Sequence, residues 1–305
     1  MNDNLPISSE ARIRRRKRGG ARTFFAVFFA LAMICGAVFL ITNKDFLSKF
    51  SKKEPPENSG DAEIPKEKSI YDFDFSLVPE GFVAALPTDI SKSATDFDAS
   101  PVAPDIKEGS VIVLSTHPYA AYLESDVLYV DGAYTATGGE HSAGTLAKYV
   151  CEKLCALGIN AKFIDTENVS ARSAYANTAK KLAEHEQNDS VALVIDIGRM
   201  SEIGTHGELM RPIVSQDGEI LSQMMLAVGS DGEYTSVRAE NAAYLSHKLC
   251  EMAKNVCVCG YASGALAQNT DYPYFTIYIG GSGTNVSEAE KSADLLCGAI
   301  CDLIK

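Results

Sequence analysis

Five histidines, His117, His141, His185, His206 and His247, are the side chains best suited to hold a metal or to carry protons near neutral pH. Carboxylates at Glu140 and Glu208 stand close to two of them in the chain. Three such groups around an open coordination position would acidify a bound water and polarise a carbonyl, which is metal-assisted hydrolysis. His117, His141 or Glu140, and His206 or Glu208 are the candidates. Their spacing gives no support, because no two histidines lie three or four residues apart as in a helical metal motif. His185 and His247 fall in helical patterns, where a solvated or packed imidazole is the default. His117 is better placed, at the C-terminal end of an apolar run that reads as a strand, the end at which α/β sheets gather ligands.

The eight cysteines offer a second set of soft ligands. Cys151 and Cys155, like Cys297 and Cys301, are one helical turn apart, and Cys257 and Cys259 share one face of a strand. No CxxC pair occurs, every cysteine sits in an apolar periodic segment, and the seven that follow Cys35 are an odd number, so they are expected to be small buried hydrophobes. The segment FTIYIGGSGTNVSEAEK places a glycine-rich turn between strand and helix, as a phosphate-binding loop would. It matches neither GxGxxG nor the Walker pattern, and the chain ends before a further strand and ribose-binding acid.

Short apolar runs that alternate with helical patterns from Ser110 onward must position these groups, the signature of an α/β domain with a mixed, mostly parallel sheet flanked by helices. Strands are expected at SVIVL from Ser110, AKFI from Ala161, VALVIDI from Val191, MRPIVS from Met210, SQMMLAVG from Ser222, VCVCG from Val256 and FTIYIG from Phe275. Asp217-Gly218 marks a hairpin between the fourth and fifth of these. Helices are expected at Ala143 to Leu157, closed by Gly158, at Ala171 to Glu186 and at Val237 to Ala253. Ser287-Glu288-Ala289-Glu290 reads as the capping box of the last helix.

Upstream, residues 1–22 hold seven basic and two acidic residues out of totals of 28 and 40, so the rest of the chain is strongly acidic. Residues 23–42 form an uncharged run long enough for one transmembrane helix, and the preceding Arg/Lys cluster predicts a cytoplasmic N-terminus and an extracytoplasmic C-terminus. A cleaved signal peptide fits less well, because the run is longer than the usual apolar core and no small-x-small site follows Ile41. Residues 43–108 begin Pro-, Lys- and Glu-rich and read as an extracytoplasmic linker, although Tyr71 to Pro87 is apolar enough to dock on the domain or a partner. The domain proper is expected over 109–305. An acidic ectodomain excludes nucleic acid as a partner.

The blocks VIVLSTHPYAAY, TLAKYVCEKLCALGI, VALVIDIGRM, RPIVSQDGEILSQMMLAVGS and TIYIGGSGTNVSEAEKSADLL resemble, in order, those of the stage II sporulation protein P family. The resemblance implies a fold like that of N-acetylmuramoyl-L-alanine amidases. These are zinc enzymes that cut stem peptides from peptidoglycan during engulfment, beside a lytic transglycosylase, stage II sporulation protein D. It also places the functional groups in an HTHxTES(Y/F) block, a DIHRD block and an (I/L)E(V/I)G block.

This chain departs from all three. Ser115 stands at the first His of the first block, His117 retains the second, and Ala120 takes the Glu position unless Glu124-Ser125 supplies it through an insertion. In the second block Gly198 replaces the His, which leaves Asp196 and Arg199 as a structural ion pair or surface pair. In the third, Tyr278 replaces the Glu, and a phenol of pKa about 10 is a poor base at neutral pH. No catalytic residue, metal or cofactor is therefore expected, and Ser115, His117, Ala120, Gly198, Arg199 and Tyr278 are vestigial positions. The expected function is a membrane-anchored relative that binds peptidoglycan or a lytic partner such as the D protein. An active zinc amidase rewired through His117, Glu124, His141 or His206 is the alternative, and an unrelated structural role is a third reading.

Overall fold

The computed structural model describes residues 78–80, 82–92, 97–125, 129–131, 139–168, 171–201 and 207–305. The basic tail, the apolar run at 23–42, most of the linker and His206 lie outside them. Among the described residues no helix is long and apolar enough to cross a membrane.

The strands are β1 (Phe82–Thr88), β2 (Ser110–Leu114), β3 (Tyr129–Asp131), β4 (Ala161–Ile164), β5 (Val191–Gly198), β6 (Leu209–Gln216), β7 (Glu219–Ser222), β8 (Met224–Gly229), β9 (Cys257–Ala262) and β10 (Tyr274–Ile279). The helices are α1 (Ala143–Ala156), α2 (Ala174–Glu186), α3 (Thr235–Met252) and α4 (Val286–Ile304). Six strands form the main sheet in the order β4-β2-β5-β10-β8-β9. Every neighbouring pair in it is parallel except β10 with β8. This is the mixed, mostly parallel sheet expected. Its central strands are continuous apolar runs because helices cover both faces.

Alternation along the strands sorts the side chains. Val111, Val113, Leu193, Ile195, Ile197, Phe275, Ile277 and Ile279 join the core shared with α1, α3 and α4. Ile112, Leu114, Val194 and Tyr274 instead pack with Leu182 of α2. By the same two-residue period, Asp196 and Gly198 of β5 and Thr276 and Tyr278 of β10 point to the α2 side.

A second sheet, β3-β1-β6-β7, corrects two expectations. First, β1 lies in the stretch assigned to the linker, yet it pairs in parallel with β6, from Ala85 opposite Leu209 to Thr88 opposite Pro212. Phe97, Ala99 and Ile106 pack on the main core, so the folded unit reaches back well before residue 109. Second, the Asp217-Gly218 turn joins β6 to the short β7 alone, with Gln216 opposite Glu219. Both turn residues take positive φ, 53° and 84°, which a two-residue hairpin of this twist requires. The chain then crosses at Gln223 into the main sheet, where that side chain accepts from the Ile90 N–H and donates to the Asn255 carbonyl.

The last helix also starts differently. Its cap is Asn285, whose side chain accepts from the Glu288 N–H at 3.0 Å, two residues before the expected capping box. Glu288 is thereby freed to turn inward, where it forms a buried pair with Arg211 of β6. Five of the seven described cysteines are buried as expected, but Cys155 is exposed and Cys250 half-buried.

Candidate functional site

Strand pairing brings two of the three departed blocks face to face. On the parallel strands β5 and β10, Gly198 lies directly opposite Tyr278. A Cβ placed on Gly198 would meet the Tyr278 ring at 2.7 Å from Cδ1 and 2.9 Å from Cε1. The ring thus occupies the space into which any side chain at 198 would project. Its hydroxyl is hydrogen-bonded to that of Tyr175, in the first turn of α2, at 3.2 Å. The Tyr175 ring in turn receives His117 edge-on, with centroids 5.2 Å apart and planes at 90°. His117, Tyr175, Tyr278 and Gly198 therefore form one continuous aromatic floor.

Electrostatics there oppose base chemistry. Burial lowers the His117 pKa below its usual value. The Tyr278 phenol is pushed far above the ordinary range by burial first and then by Tyr175. A phenol held neutral in this way acts as a hydrogen-bonding wall and not as a proton acceptor.

The surrounding shell is structural. Asp196 is 2% exposed and accepts from the Thr116 N–H at 2.8 Å, the Thr116 hydroxyl at 2.7 Å and the Tyr274 hydroxyl at 3.2 Å. Burial pushes its carboxyl up to about 6, against the pull of those bonds. Arg199 faces away, donating to the carbonyls of Ala121 and Met200. Asp196 and Arg199 are therefore both buried and bonded elsewhere, and the expected ion pair or surface pair is not formed. Tyr122, the closing aromatic of the first block, uses its hydroxyl to tie the Ile279 and Gly198 carbonyls together across the ends of β10 and β5.

The remaining candidates are dispersed. Ser115 is buried, and its hydroxyl has no hydrogen-bond partner among the described residues. Ala120 is half-buried in a tight turn, its N–H on the His117 carbonyl. Glu124 is exposed just beyond a backbone bridge from Leu123 to Thr284 and Val286. His141 lines a cleft between the first turns of α1 and α4, on the opposite side of the sheet from α2. His185, in the last turn of α2, is beside Asp189 just past the end of that helix, and His247 is beside Glu251 within α3. Among the described residues no three His, Cys, Asp or Glu side chains gather as a metal-ligand set. Among the described residues the donors do not fit the zinc that the resemblance implies: the position it assigns to a ligand is Gly198, and the Tyr278 ring fills the space in front of it.

The glycine-rich turn is consumed by packing. A Cβ on Gly281 would lie 2.5 Å from the Met210 carbonyl oxygen and one on Gly283 3.0 Å from that of Leu209. These glycines let β6 pass close, and the Gly283 N–H is used on Met210. Sequence reading missed Tyr175 and Tyr274. Tyr274 lies one residue before the strand expected from Phe275, and only the adjacency of β10 to β5 makes it a partner of Asp196. Nothing in the sequence marked Tyr175.

Residues 43–301 match the family model of Stage II sporulation protein P (SpoIIP). No curated protein sequence matches the chain. Similar solved structures include the N-acetylmuramoyl-L-alanine amidase from Clostridium difficile 630, at 12% identity and TM-score 0.38 over 64% of this chain and 94% of that one. The CwlD amidase from Clostridioides difficile in complex with the GerS lipoprotein is similar at 14% identity and TM-score 0.38, over 65% and 96%. Ami1 from Mycobacterium smegmatis is similar at 11% identity and TM-score 0.38, over 65% and 96%. Likenesses of this size carry no further argument, and the assignment rests on the sequence match. A match that runs through both facing blocks and on to the last helix makes this chain a member of the stage II sporulation protein P family.

Proposed function

We propose that this family member is a membrane-anchored, extracytoplasmic protein that binds peptidoglycan or a lytic partner in sporulation or cell-wall remodelling without hydrolysing the wall. The observation that carries the reading is the Tyr278 ring packed over Gly198, which replaces a ligand and a proton acceptor with one inert hydrogen-bonded wall. Loss of a ligand weighs heavily, since even outer-shell losses cost about 10- to 100-fold in metal affinity. Loss of a proton-transfer group costs a further 10²- to 10⁴-fold or so in rate. Thr116, Asp196 and Tyr274 keep the loop after β2 in place, so the cleft retains its shape although its chemistry is gone.

The purified full chain is expected to carry no stoichiometric zinc and to release no stem peptides from peptidoglycan, while sedimenting with it or with a D-type transglycosylase. Metal analysis and chromatography of the digest measure both. One zinc per chain together with free stem peptides would restore the rewired amidase, with His117 in its site.

Anchoring is carried by the uncharged run at 23–42 behind its basic cluster. Protease added to intact protoplasts is expected to remove an epitope fused after Lys305. Its survival under conditions that digest a known surface protein would count against this orientation.

A further inference from the structure

A groove of about 580 Å³ begins at Tyr175, on the aromatic floor, and runs along α2. Its other wall is the segment 263–272, between β9 and β10. Within that segment only Leu266, Gln268 and Tyr272 are buried.

The wall is strained. Leu266 and Ala267 are consecutive residues with a Cβ in left-handed backbone, φ 48° and 56°, a conformation that disfavours each by roughly five- to thirtyfold. Such strain persists only where surrounding contacts hold it. Here those contacts centre on one side chain. The Gln268 amide enters the end of the main sheet, where it accepts from the Gly229 N–H at 2.9 Å and donates to the Ala227 carbonyl at 2.8 Å and the Thr276 hydroxyl at 2.9 Å. Ala227 and Thr276 are register partners, so this amide closes one end of the β8–β10 ladder. Arg238 of α3 holds the backbone beside it, donating to the carbonyls of Gln268 at 3.3 Å and Thr270 at 2.6 Å. At the far end the Tyr272 hydroxyl is hydrogen-bonded to Glu186, the last residue of α2.

We propose that residues 263–272 are a latch: a strained, two-state wall that opens as a unit, withdrawing Gln268 from the sheet end and Tyr272 from Glu186 while the sheet stays folded. Strain pushes toward opening and a few buried contacts oppose it, so the two states lie closer in free energy than the folded and unfolded chain. Opening is cooperative, because three bonds share the Gln268 amide and one guanidinium grips the backbone at Gln268 and Thr270. Release removes the wall of the groove facing α2 and so regulates access to the floor from the Tyr175 side. The latch is a property of this segment and does not depend on the binding function proposed above.

Hydrogen exchange on the full-length chain in detergent micelles, resolved to single amides, tests the latch. The N–H groups of Gly229, Gln268 and Thr270 are bonded to Gln268 Oε1, the Ala265 carbonyl and the Gln268 carbonyl, so one opening frees all three. They are expected to exchange together, at least about a hundredfold faster than the amide of Ile195 in the middle of β5. Ala267→Asn, a residue that tolerates left-handed backbone, is expected to slow this shared exchange about threefold, and the β-branched Ala267→Val to speed it about tenfold. Gln268→Ala is expected to speed exchange at Thr270 at least about tenfold. Exchange of the segment only as slowly as Ile195, exchange of Gly229 uncoupled from that of Thr270, or equal rates in the Asn and Val variants would overturn the proposal.

Discussion

Replacing Gly198 with His alone is expected to destabilise the protein, and adding Tyr278→Glu in the same chain is expected to restore it. Gly198 does not need glycine for its backbone, since its φ is not in the positive region. The obstacle is the Tyr278 ring, already closer than any real Cβ contact, at 2.7 Å. The ring has little room to yield, because moving it breaks the hydroxyl bond to Tyr175 and disturbs His117. Overpacking of this kind costs about 1–3 kcal/mol. Gly198→Ala isolates the steric part. In the double variant the imidazole and carboxylate face each other on adjacent strands near His117, so zinc binding is expected to appear; adding Ala120→Glu tests a fourth donor. Urea unfolding and metal analysis read the two effects. A Gly198→Ala protein as stable as the unaltered chain would show that the ring is not a plug.

Arg211→Leu is expected to cost more, about 3–5 kcal/mol, because it leaves a buried carboxylate without its cation. Arg211 and Glu288 are each about 5% exposed at the side chain, and the guanidinium grips the carboxylate with both Nε and Nη2. The pair joins β6 of the smaller sheet to the first turn of α4 above the main sheet. At that turn the helix dipole also favours a negative charge. Arg211→Leu with Glu288→Leu is expected to recover most of the loss, since replacing both members of a buried pair with apolar groups is often neutral or stabilising. Equilibrium unfolding of the two single variants and the double measures the coupling. A single-variant loss below about 1 kcal/mol would remove the pair from any role in holding the two sheets together.

Most of the main sheet was legible from local pattern. Strands such as Ser110–Leu114 and Val191–Gly198 are unbroken apolar runs because helices cover both faces, and a run of that length bounded by turns has few other outcomes. Helix α1 was equally plain, with Leu146, Val150 and Leu154 buried at helical spacing and Gly158 beyond its end. Elements whose partners lie far along the chain were harder. β1 was read as part of a linker because Phe82–Thr88 has no local signal, and its identity as a strand comes from pairing with residues more than 120 positions away. The start of α4 was mistaken because two capping residues, Asn285 and Ser287, compete within three positions; Asn285 prevails once Glu288 is drawn to Arg211.

By itself the sequence determined the α/β class, the family resemblance, and the absence of a histidine at 198 and a carboxylate at 278, since these are matters of residue type and local period. Only the tertiary structure decided that the two positions share one space. Positions 198 and 278 are eighty residues apart and become neighbours through a register set by the whole sheet, where the volume missing from one is filled by the ring of the other. The same holds for Tyr175, whose contact with Tyr278 and His117 depends on where α2 docks. Side-chain chemistry is written locally, but which side chains share a space depends on packing between distant segments, and no period in the sequence records it.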